Sequence, residues 1–350
     1  MEQVSKMLEL RMAQETLNGL PLVRRVRIAR RLFADLYLLD RKRLTVMNEP
    51  GVHRALVHSA FQARSVLVGN PTWLVAVRAP DETPDYVFAT LQRGRLRSEL
   101  TVTALGKLPL QEDCWTVLEQ LAENLAATSI LVETVTGEPT SHVPAVDGEI
   151  VRYIGERLYV VDLADEGQAS NLSKNTKRNI ARAAKAGVRI DVSTTASALE
   201  AHFELTGASI DRRAGRGEDV TQRASAERVR KMLADGCGRL FQATLDGEAL
   251  SSDFVFQLGG SAYYYDGGSS SRGMALGSSH YLMSEILSRL QSDGLHAINL
   301  GLARAGNEGL ARFKEGFGAR LAHVERVLVK RDRVTRMTRN MIRSCFPPGT

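Results

Sequence analysis

The sequence predicts an α/β fold of the mixed α+β kind, a largely antiparallel sheet flanked by helices and arranged in two lobes. Three observations predict it. Runs with helical and with strand periodicity interleave along the chain. Late in the sequence, three strand-like runs, GRLFQATLDG, EALSSDFVFQLGG and SAYYYDGG, are separated by Asp246-Gly247 and Gly259-Gly260, dipeptides that favour tight antiparallel hairpins. A chain of 350 residues also exceeds what one hydrophobic core usually organises, which favours two domains.

The first half opens with helical periodicity over residues 2–16 and 22–38 and again over His53–Ala63. Two alternating apolar runs follow, SVLVG and TWLVAVRA; PDETPD then turns the chain into YVFATLQ, and ELTVTALG repeats the strand pattern. Gln111–Ala127 reads as a helix leading into the strand SILVETV. Turn formers crowd TGEPTSHVPAVDGE, so the expected division is an N-terminal lobe of residues 1–145, a second domain of 146–332 and a basic tail of 333–350.

The second half begins with strands in RYIGERLYVVDL and then NLSKNTKRNIARAAKAGV, a predicted helix over Lys174–Ala186. Ser173 can cap its first turn, and Gly187 sits where a left-handed stop residue is favoured. Lys174, Arg178, Arg182, Lys185 and Arg189 recur at steps of three or four and so line one side, with Lys177 beside them and no acidic residue to balance them. Ile180, Ala183, Ala184 and Val188 fall mostly on other sides and can face a core. Such a stripe is either a solvated face or a contact for an anionic partner. VRIDVS gives a strand, and helices over Ala196–Arg212 and Ser225–Ala234 lead to the three hairpin strands. After them come the Gly/Ser-rich loop SSSRGMALGSS, a helix over His280–Gln291, the strand HAINLGLA, the helix NEGLARFKEGFG and the strand LAHVERVLVK. No internal sequence repeat is evident.

Composition narrows the function classes. An apolar content of 43% with 25% charged residues is that of a folded chain, which argues against disorder. No apolar stretch reaches spanning length, and charges interrupt MEQVSKMLELRMAQ too often for a secretory signal, so the expected location is the cytoplasm. Cys114, Cys237 and Cys345 are odd in number and far apart, which suits neither a disulfide framework nor a zinc site. Nor do the histidines show metal-ligand spacing; no metal is expected, and there is neither a P-loop nor a G-x-S-x-G elbow. The net charge of +6 is unevenly placed: from Lys330 onward one lysine and five arginines meet only Asp332, and RRVRIARR forms a second basic run on a predicted helix. Both runs can meet phosphates of RNA, of a membrane surface in peripheral contact or of a nucleotide-linked substrate, and both can equally be solubilising surface.

The order of the second half, and within it LSKNTKRNIARAAKAGV, the YYYDGG strand end and NLGLARAGNEGLARFKEGFGA, resembles the FemAB branch of the GNAT acyltransferase superfamily, including BioF2-like acetyltransferase domains. The likeness spans about Val151 to Lys330. It implies a GNAT-like fold, a degenerate copy of that fold in the first half, and acyl transfer to an amine. The acyl donor it implies is acetyl-CoA or another acyl-CoA, with aminoacyl-tRNA as the alternative. The acceptor would be an amino sugar or another small amine-bearing envelope or polysaccharide precursor. A catalytically silent binding protein is the remaining reading. The long coiled-coil insertion of some FemAB members is absent.

The resemblance places SRGMALGSS where the superfamily offers backbone N–H groups to the coenzyme A pyrophosphate, which makes Arg272, Gly273, Gly277, Ser278 and Ser279 the candidate cofactor-binding residues. Their spacing departs from the family's Q/R-x-x-G-x-G/A pattern. The short helix before Gly316-Phe317 lacks the tyrosine that many GNAT enzymes place there; Lys314 is the FemAB-like residue and a candidate to neutralise a phosphate or developing charge. On DFVFQL, Asp253, Val255 and Gln257 share one face, so Asp253 can point into a cleft as a base. Tyr264 opposes Tyr263 and Tyr265 and joins Asp253 and Lys314 as the third catalytic candidate. Asp266 reads as a turn residue or a second base. Lys174, Arg178, Asn299 and Phe317 are the candidate substrate-binding residues, Asn299 being a polar residue in an apolar strand that can also brace the adjacent loop.

Overall fold

The computed structural model describes residues 22–29, 32–39, 70–78, 85–94, 97–105, 112–136, 149–164, 171–218, 226–258, 260–303 and 307–331. They fall into two compact units. The first draws its described residues from Met1–Asp40, Gly69–Gly155 and His323–Thr350, the second from Glu156–Ala322.

In the first unit, strands β1 (Leu22–Ala29), β2 (Leu32–Leu39), β3 (Thr72–Arg78), β4 (Asp85–Arg93), β5 (Ser98–Leu105) and β6 (Ser129–Thr136) run side by side in chain order. Each neighbouring pair is antiparallel except β5 and β6, which are parallel because helix α1 (Glu112–Asn124) carries the chain back between them. The core gathers Leu118 and Ala122 of α1 against Leu91, Leu100, Ile130 and Val132. The helix expected over 22–38 is instead the β1–β2 hairpin. Val26 and Ile28 alternate with Arg25 and Arg27, a strand period that the denser RRVRIARRLFADL also disguises as helical, and pairing of Val26 with Ala34 and Arg25 with Asp35 decides in favour of the ladder. The helices expected over 2–16 and 53–63, the run SVLVG, most of the joining segment and the basic tail lie outside the described residues.

The second unit is built on β7 (Glu149–Asp162), β8 (Arg189–Ser193), β9 (Gly238–Leu245), β10 (Glu248–Leu258), β11 (Ser261–Ser269) and β12 (Ala297–Leu302), in the order β7-β12-β11-β10-β9-β8. The chain enters this unit within β7 and leaves it near the start of the last strand, β13 (Arg320–Lys330), which pairs antiparallel with β6. Asp246 and Gly247 both take positive φ, 53° and 83°, the geometry that lets a two-residue turn join β9 to β10. Among the described pairs of this unit only β11 and β12 are parallel, joined through helices α5 (Ser271–Leu276) and α6 (Ser278–Ser292).

The remaining helices are α2 (Lys174–Lys185), α3 (Ala196–Ala214), α4 (Ala226–Ala234) and α7 (Glu308–Glu315). Ser173 caps α2 by accepting the Thr176 N–H, and Gly187 follows with φ +81°, as the residue pattern predicts. Ala183 and Val188 are buried while Lys174, Lys177, Arg178, Arg182, Lys185 and Arg189 are exposed. The Gly/Ser-rich segment is not an open loop. Ser270 accepts the Gly273 N–H and starts the short helix α5, and Gly277, at φ +78°, breaks the axis so that α6 can begin at Ser278.

Along β10, Ser251 contacts Ser278 of α6 at 2.6 Å, whereas Ser252 contacts His202 of α3 at 3.0 Å. Successive strand residues point to opposite faces, so α3 and α6 cover opposite faces of the sheet. That sandwich explains why residues 250–256 of β10 are buried without a break.

Candidate functional site

The parallel ladder between β11 and β12 is short. Ser261 faces Ala297, Ala262 faces Ile298 and Tyr263 faces Asn299, and there it ends. Beyond that point β11 continues to Ser269 along β10, while β12 continues to Leu302 along β7. The two strands therefore part like a fork. Gly301 turns β12 away with φ +76°, and the buried Asn299 fixes that kink by accepting the Gly301 N–H at 2.7 Å.

A cleft of about 810 Å³ occupies the fork. It is lined by Arg213 of α3, Ser279 of α6 and Lys314 of α7 together with the diverging strand ends. Because α3 and α6 lie on opposite faces and both line it, the cleft passes through the sheet.

β11 carries one extra residue between the pairs Phe254–Asp266 and Val255–Tyr264. This bulge at Tyr265 turns Asp266 toward the α3 face and leaves Tyr264 toward the α6 face, although plain alternation would place both on one side. Tyr264 donates its hydroxyl to Asp253 Oδ1 at 3.0 Å. Asp266 accepts the Gly267 N–H at 3.0 Å through Oδ1, and its Oδ2 lies 3.8 Å from His202 Nε2. Gly267 and Gly268 have no room for side chains. A Cβ on the first would strike the Tyr264 hydroxyl and Asp253, and one on the second would strike the α3 backbone at Leu205.

The electrostatics follow from burial. Desolvation pushes Asp253, only 6% exposed, up to about 7; the Tyr264 bond opposes the shift and the Asp266 charge adds to it. Asp266, whose side chain is 21% exposed, rises to about 6 for the same reason, offset in part by the Gly267 N–H. Tyr264 is held well above the ordinary phenol range by burial first and then by the two carboxylates. On the other wall, burial and the nearby Arg213 charge bring Lys314 down to about 7. Lys314 is 4% exposed, donates to the Leu302 carbonyl at 2.7 Å and lies 5.6 Å from the centre of the Tyr159 ring. Two carboxyls and an amine thus all sit near the point of gaining or losing a proton at neutral pH, a pattern found at sites of proton transfer.

Of the residues singled out in the sequence, the fork brings together Asp253, Tyr264, Lys314 and Ser279. The others stand elsewhere. Arg272 pairs with Glu248 on the half-exposed surface of α5. Gly273 and Gly277 have their N–H groups committed, to Ser270 Oγ and to backbone carbonyls, and both are packed too tightly for a Cβ. The Ser278 hydroxyl is buried against Ser251. Lys174 and Arg178 are exposed on α2, where Arg178 donates to Asn175 at 2.8 Å, and neither lines the cleft. Asn299 braces the fork from within the sheet. Phe317 is wholly buried beside Phe313 and His280, whose ring nitrogen lies 3.4 Å from Asn179 Nδ2. The Gly-Phe motif is a packing device: Ser173 N–H donates to the Gly316 carbonyl at 2.9 Å, and a Cβ at Gly316 would meet Thr176, so α2 docks on the end of α7.

Sequence reasoning missed the contribution of α3. Arg213 reaches the cleft and pairs with Glu218 at 2.9 Å, and Glu218 also accepts from Asn307, the cap of α7, at 3.0 Å. Arg212 ties the end of β11 through the Ser269 carbonyl and Ser209. The Arg212–Ser269 and Asn307–Glu218 contacts join residues 57 and 89 apart, so no local pattern announces them. Among the described residues there is no group of three or more His, Cys, Asp or Glu side chains arranged to hold a metal ion, and no helix long and apolar enough to cross a membrane.

Residues 170–315, which contain every residue that lines the cleft, match the acetyltransferase (GNAT) domain family. The chain is similar to GNAT acyltransferases over that stretch. Its architecture is that of FemX, whose crystal structure superposes with a TM-score of 0.58 over 81% of this chain and 94% of that one at 11% identity. A conserved protein of unknown function from Bacteroides thetaiotaomicron gives 0.54 over 83% and 97% at 13% identity. L-PGS from Bacillus licheniformis gives 0.51 over 87% and 96%, again at 13% identity. No curated protein sequence matches the chain. The chain therefore combines the mixed α/β fold expected from the sequence with a cleft at the splayed strands.

Proposed function

We propose that the protein transfers an acyl group, acetyl in the simplest case, from coenzyme A to an amine of an amino sugar or a comparable envelope or polysaccharide precursor. The transfer is direct, with no acyl-enzyme. The observation that supports it is the meeting, at one fork, of two carboxyls poised near neutrality with the amine of Lys314. An acceptor enters as an ammonium ion and is drawn to Asp266, the more exposed carboxyl, which takes one proton and leaves a nucleophilic amine. The amine nitrogen bonds to the thioester carbon, and the carbonyl electron pair moves to oxygen. Lys314, itself buried, stabilises that oxyanion in its charged form. The addition intermediate gives its second nitrogen proton to the Asp253 carboxylate as the C–S bond breaks. The departing thiolate, with an ordinary thiol pKa of about 8.5, takes its proton from water. The first turn of α6 beside Ser279, which no side chain caps, offers N–H groups and the positive end of a helix to the coenzyme A pyrophosphate.

A second reading, with aminoacyl-tRNA as the donor, is favoured by one observation, the exposed unbalanced cations of α2. Calorimetry with acetyl-CoA and with tRNA at two salt concentrations separates the readings, combined with thiol release from acetyl-CoA in the presence of glucosamine, lysine or spermidine. Acetyl-CoA binding with amine-dependent thiol release supports the first. Salt-sensitive tRNA binding without acetyl-CoA binding moves the donor to tRNA. Binding of neither overturns both.

A further inference from the structure

One buried imidazole stands directly behind the cleft with an unused ring nitrogen. His202 of α3 is fully buried, and its Nδ1 lies 3.0 Å from Ser252 Oγ. Ser252 Oγ donates its single proton to the Phe241 carbonyl at 3.3 Å and receives the Gln242 amide at 3.4 Å, while that amide also donates to the Ala198 carbonyl at 2.8 Å. Keeping the serine proton on the Phe241 carbonyl makes Nδ1 the donor in the His202–Ser252 contact. A neutral ring has only one N–H, so Nε2 presents a bare lone pair. Burial keeps the ring neutral at pH 7, lowering His202 to about 4. Nε2 is buried without a hydrogen-bond partner, and the polar atom facing it is Asp266 Oδ2 at 3.8 Å.

That gap has a chemical reason. An ionised carboxylate has no proton to offer a lone pair, so Asp266 and His202 stand apart while Asp266 is charged. Once Asp266 is protonated it becomes a donor, and a small side-chain rotation brings its O–H onto Nε2. We infer that His202 is a positioning residue for Asp266, holding the proton-loaded carboxyl by accepting its O–H at Nε2. The inference rests on the reading that Asp266 receives the acceptor's proton. The partnership exists only after that transfer, so it stabilises the state reached along the reaction more than the starting state. The ionisable groups that line the cleft with Asp266 include Asp253 of β10, Tyr263, Tyr264 and Tyr265 of β11, Arg212 and Arg213 of α3, Arg216 and Glu218 just beyond it, and Glu308, Arg312 and Lys314 of α7. None of them faces Nε2 within hydrogen-bonding distance.

The test uses the full chain labelled with ¹⁵N-histidine and needs no substrate. Long-range ¹H–¹⁵N spectra at neutral pH are expected to show His202 protonated at Nδ1 and bare at Nε2. The Nε2 shift should move as pH falls through the Asp266 titration near 6, and Asp266→Asn should abolish that movement while leaving the fold intact. An Nε2-protonated tautomer, or an Nε2 shift that ignores Asp266, overturns the inference. A kinetic arm compares His202→Gln, which keeps an acceptor oxygen, with His202→Leu, which does not, using acetyl-CoA and glucosamine. His202→Leu should lose at least tenfold in kcat with the acceptor KM within twofold, and His202→Gln should recover part of that loss. Equal losses in both variants count against the positioning role. Absence of turnover in the unmodified protein counts instead against the acyl-CoA reading, and the spectra still decide the pairing.

Discussion

The Tyr264 hydroxyl reaches Asp253 Oδ1 at 3.0 Å across Gly267, whose missing side chain leaves the two groups room to meet. Gly267→Ala is expected to break this bond, because the new methyl would occupy the position of the Tyr264 oxygen. The cost should be about 1 to 3 kcal/mol, that of an unsatisfied buried polar pair. Thermal unfolding reads that cost, and thiol release from acetyl-CoA should fall with it; an alanine variant with unchanged stability would show that the pair relocates freely.

Tyr264→Phe isolates the bond from the space. The tyrosine hydroxyl favours the charged form of Asp253, so its loss should raise the Asp253 titration further above about 7. If Asp253 accepts the second amine proton, the acidic limb of the rate profile moves to higher pH in the phenylalanine variant. A limb that stays in place removes Asp253 from the proton path.

Much of this arrangement is legible in the sequence, and the exceptions have common physical causes. The β9–β10 hairpin is readable because Asp246-Gly247 states its turn, and α2 because Ser173 and Gly187 state its ends. Alternation places Asp253 on the face of Ser251 and Val255 because β10 is regular through Asp253. Alternation fails for Asp266, since an extra residue in β11 reverses its side and nothing in YYYDGG distinguishes a bulged strand from a straight one. The β1–β2 hairpin was hidden because arginines spaced by apolar residues fit two periods at once. Arg213 and His202 enter the site by packing α3 along β11, a tertiary relationship with no local signature.

Asp253 also makes stability depend on pH. Its carboxyl titrates near 3.8 when unfolded and at about 7 when folded, so between those values the folded state binds more protons than the unfolded one. Stability from this group is fully present below about pH 4 and is lost as pH rises through 7. His202, lowered from 6.5 to about 4, acts in the opposite sense over pH 4 to 6.5, which makes a comparison of variants necessary. Asp253→Asn should therefore gain melting temperature relative to the unmodified protein at pH 8 and lose most of that advantage at pH 5. The same difference at both values would mean that Asp253 titrates normally.

On α2, Lys174→Ala with Arg178→Ala removes two exposed cations that make no contact with the cleft. Folding stability should change by no more than about 0.5 kcal/mol, as for most surface substitutions. The acetyl-CoA KM should also stay within twofold, while any binding of tRNA should weaken and lose part of its salt dependence. A raised acetyl-CoA KM would instead bring the α2 stripe into contact with the donor.

Lys314 sets up the sharpest test of the transferase reading, because its two roles separate in one substitution. Its Nζ donates to the Leu302 carbonyl at the kink of β12, and the residue borders the cleft. Lys314→Met keeps the volume and removes both the donor and the charge. Replacing a buried, partly neutral amine by an apolar chain costs little stability, about 1 kcal/mol for the lost hydrogen bond. Loss of a donor to a developing oxyanion costs roughly a hundredfold or more in kcat. The unmodified enzyme should also lose rate as pH rises through 7 if charged Lys314 is required, since burial has brought its titration down to about 7, and Lys314→Met should lack that alkaline limb. Because Asp253 and Asp266 must be ionised while Lys314 must be charged, the rate should peak at about pH 7, where the Asp253 and Lys314 titrations coincide. A variant that melts normally and retains full kcat would confine Lys314 to bracing the fork.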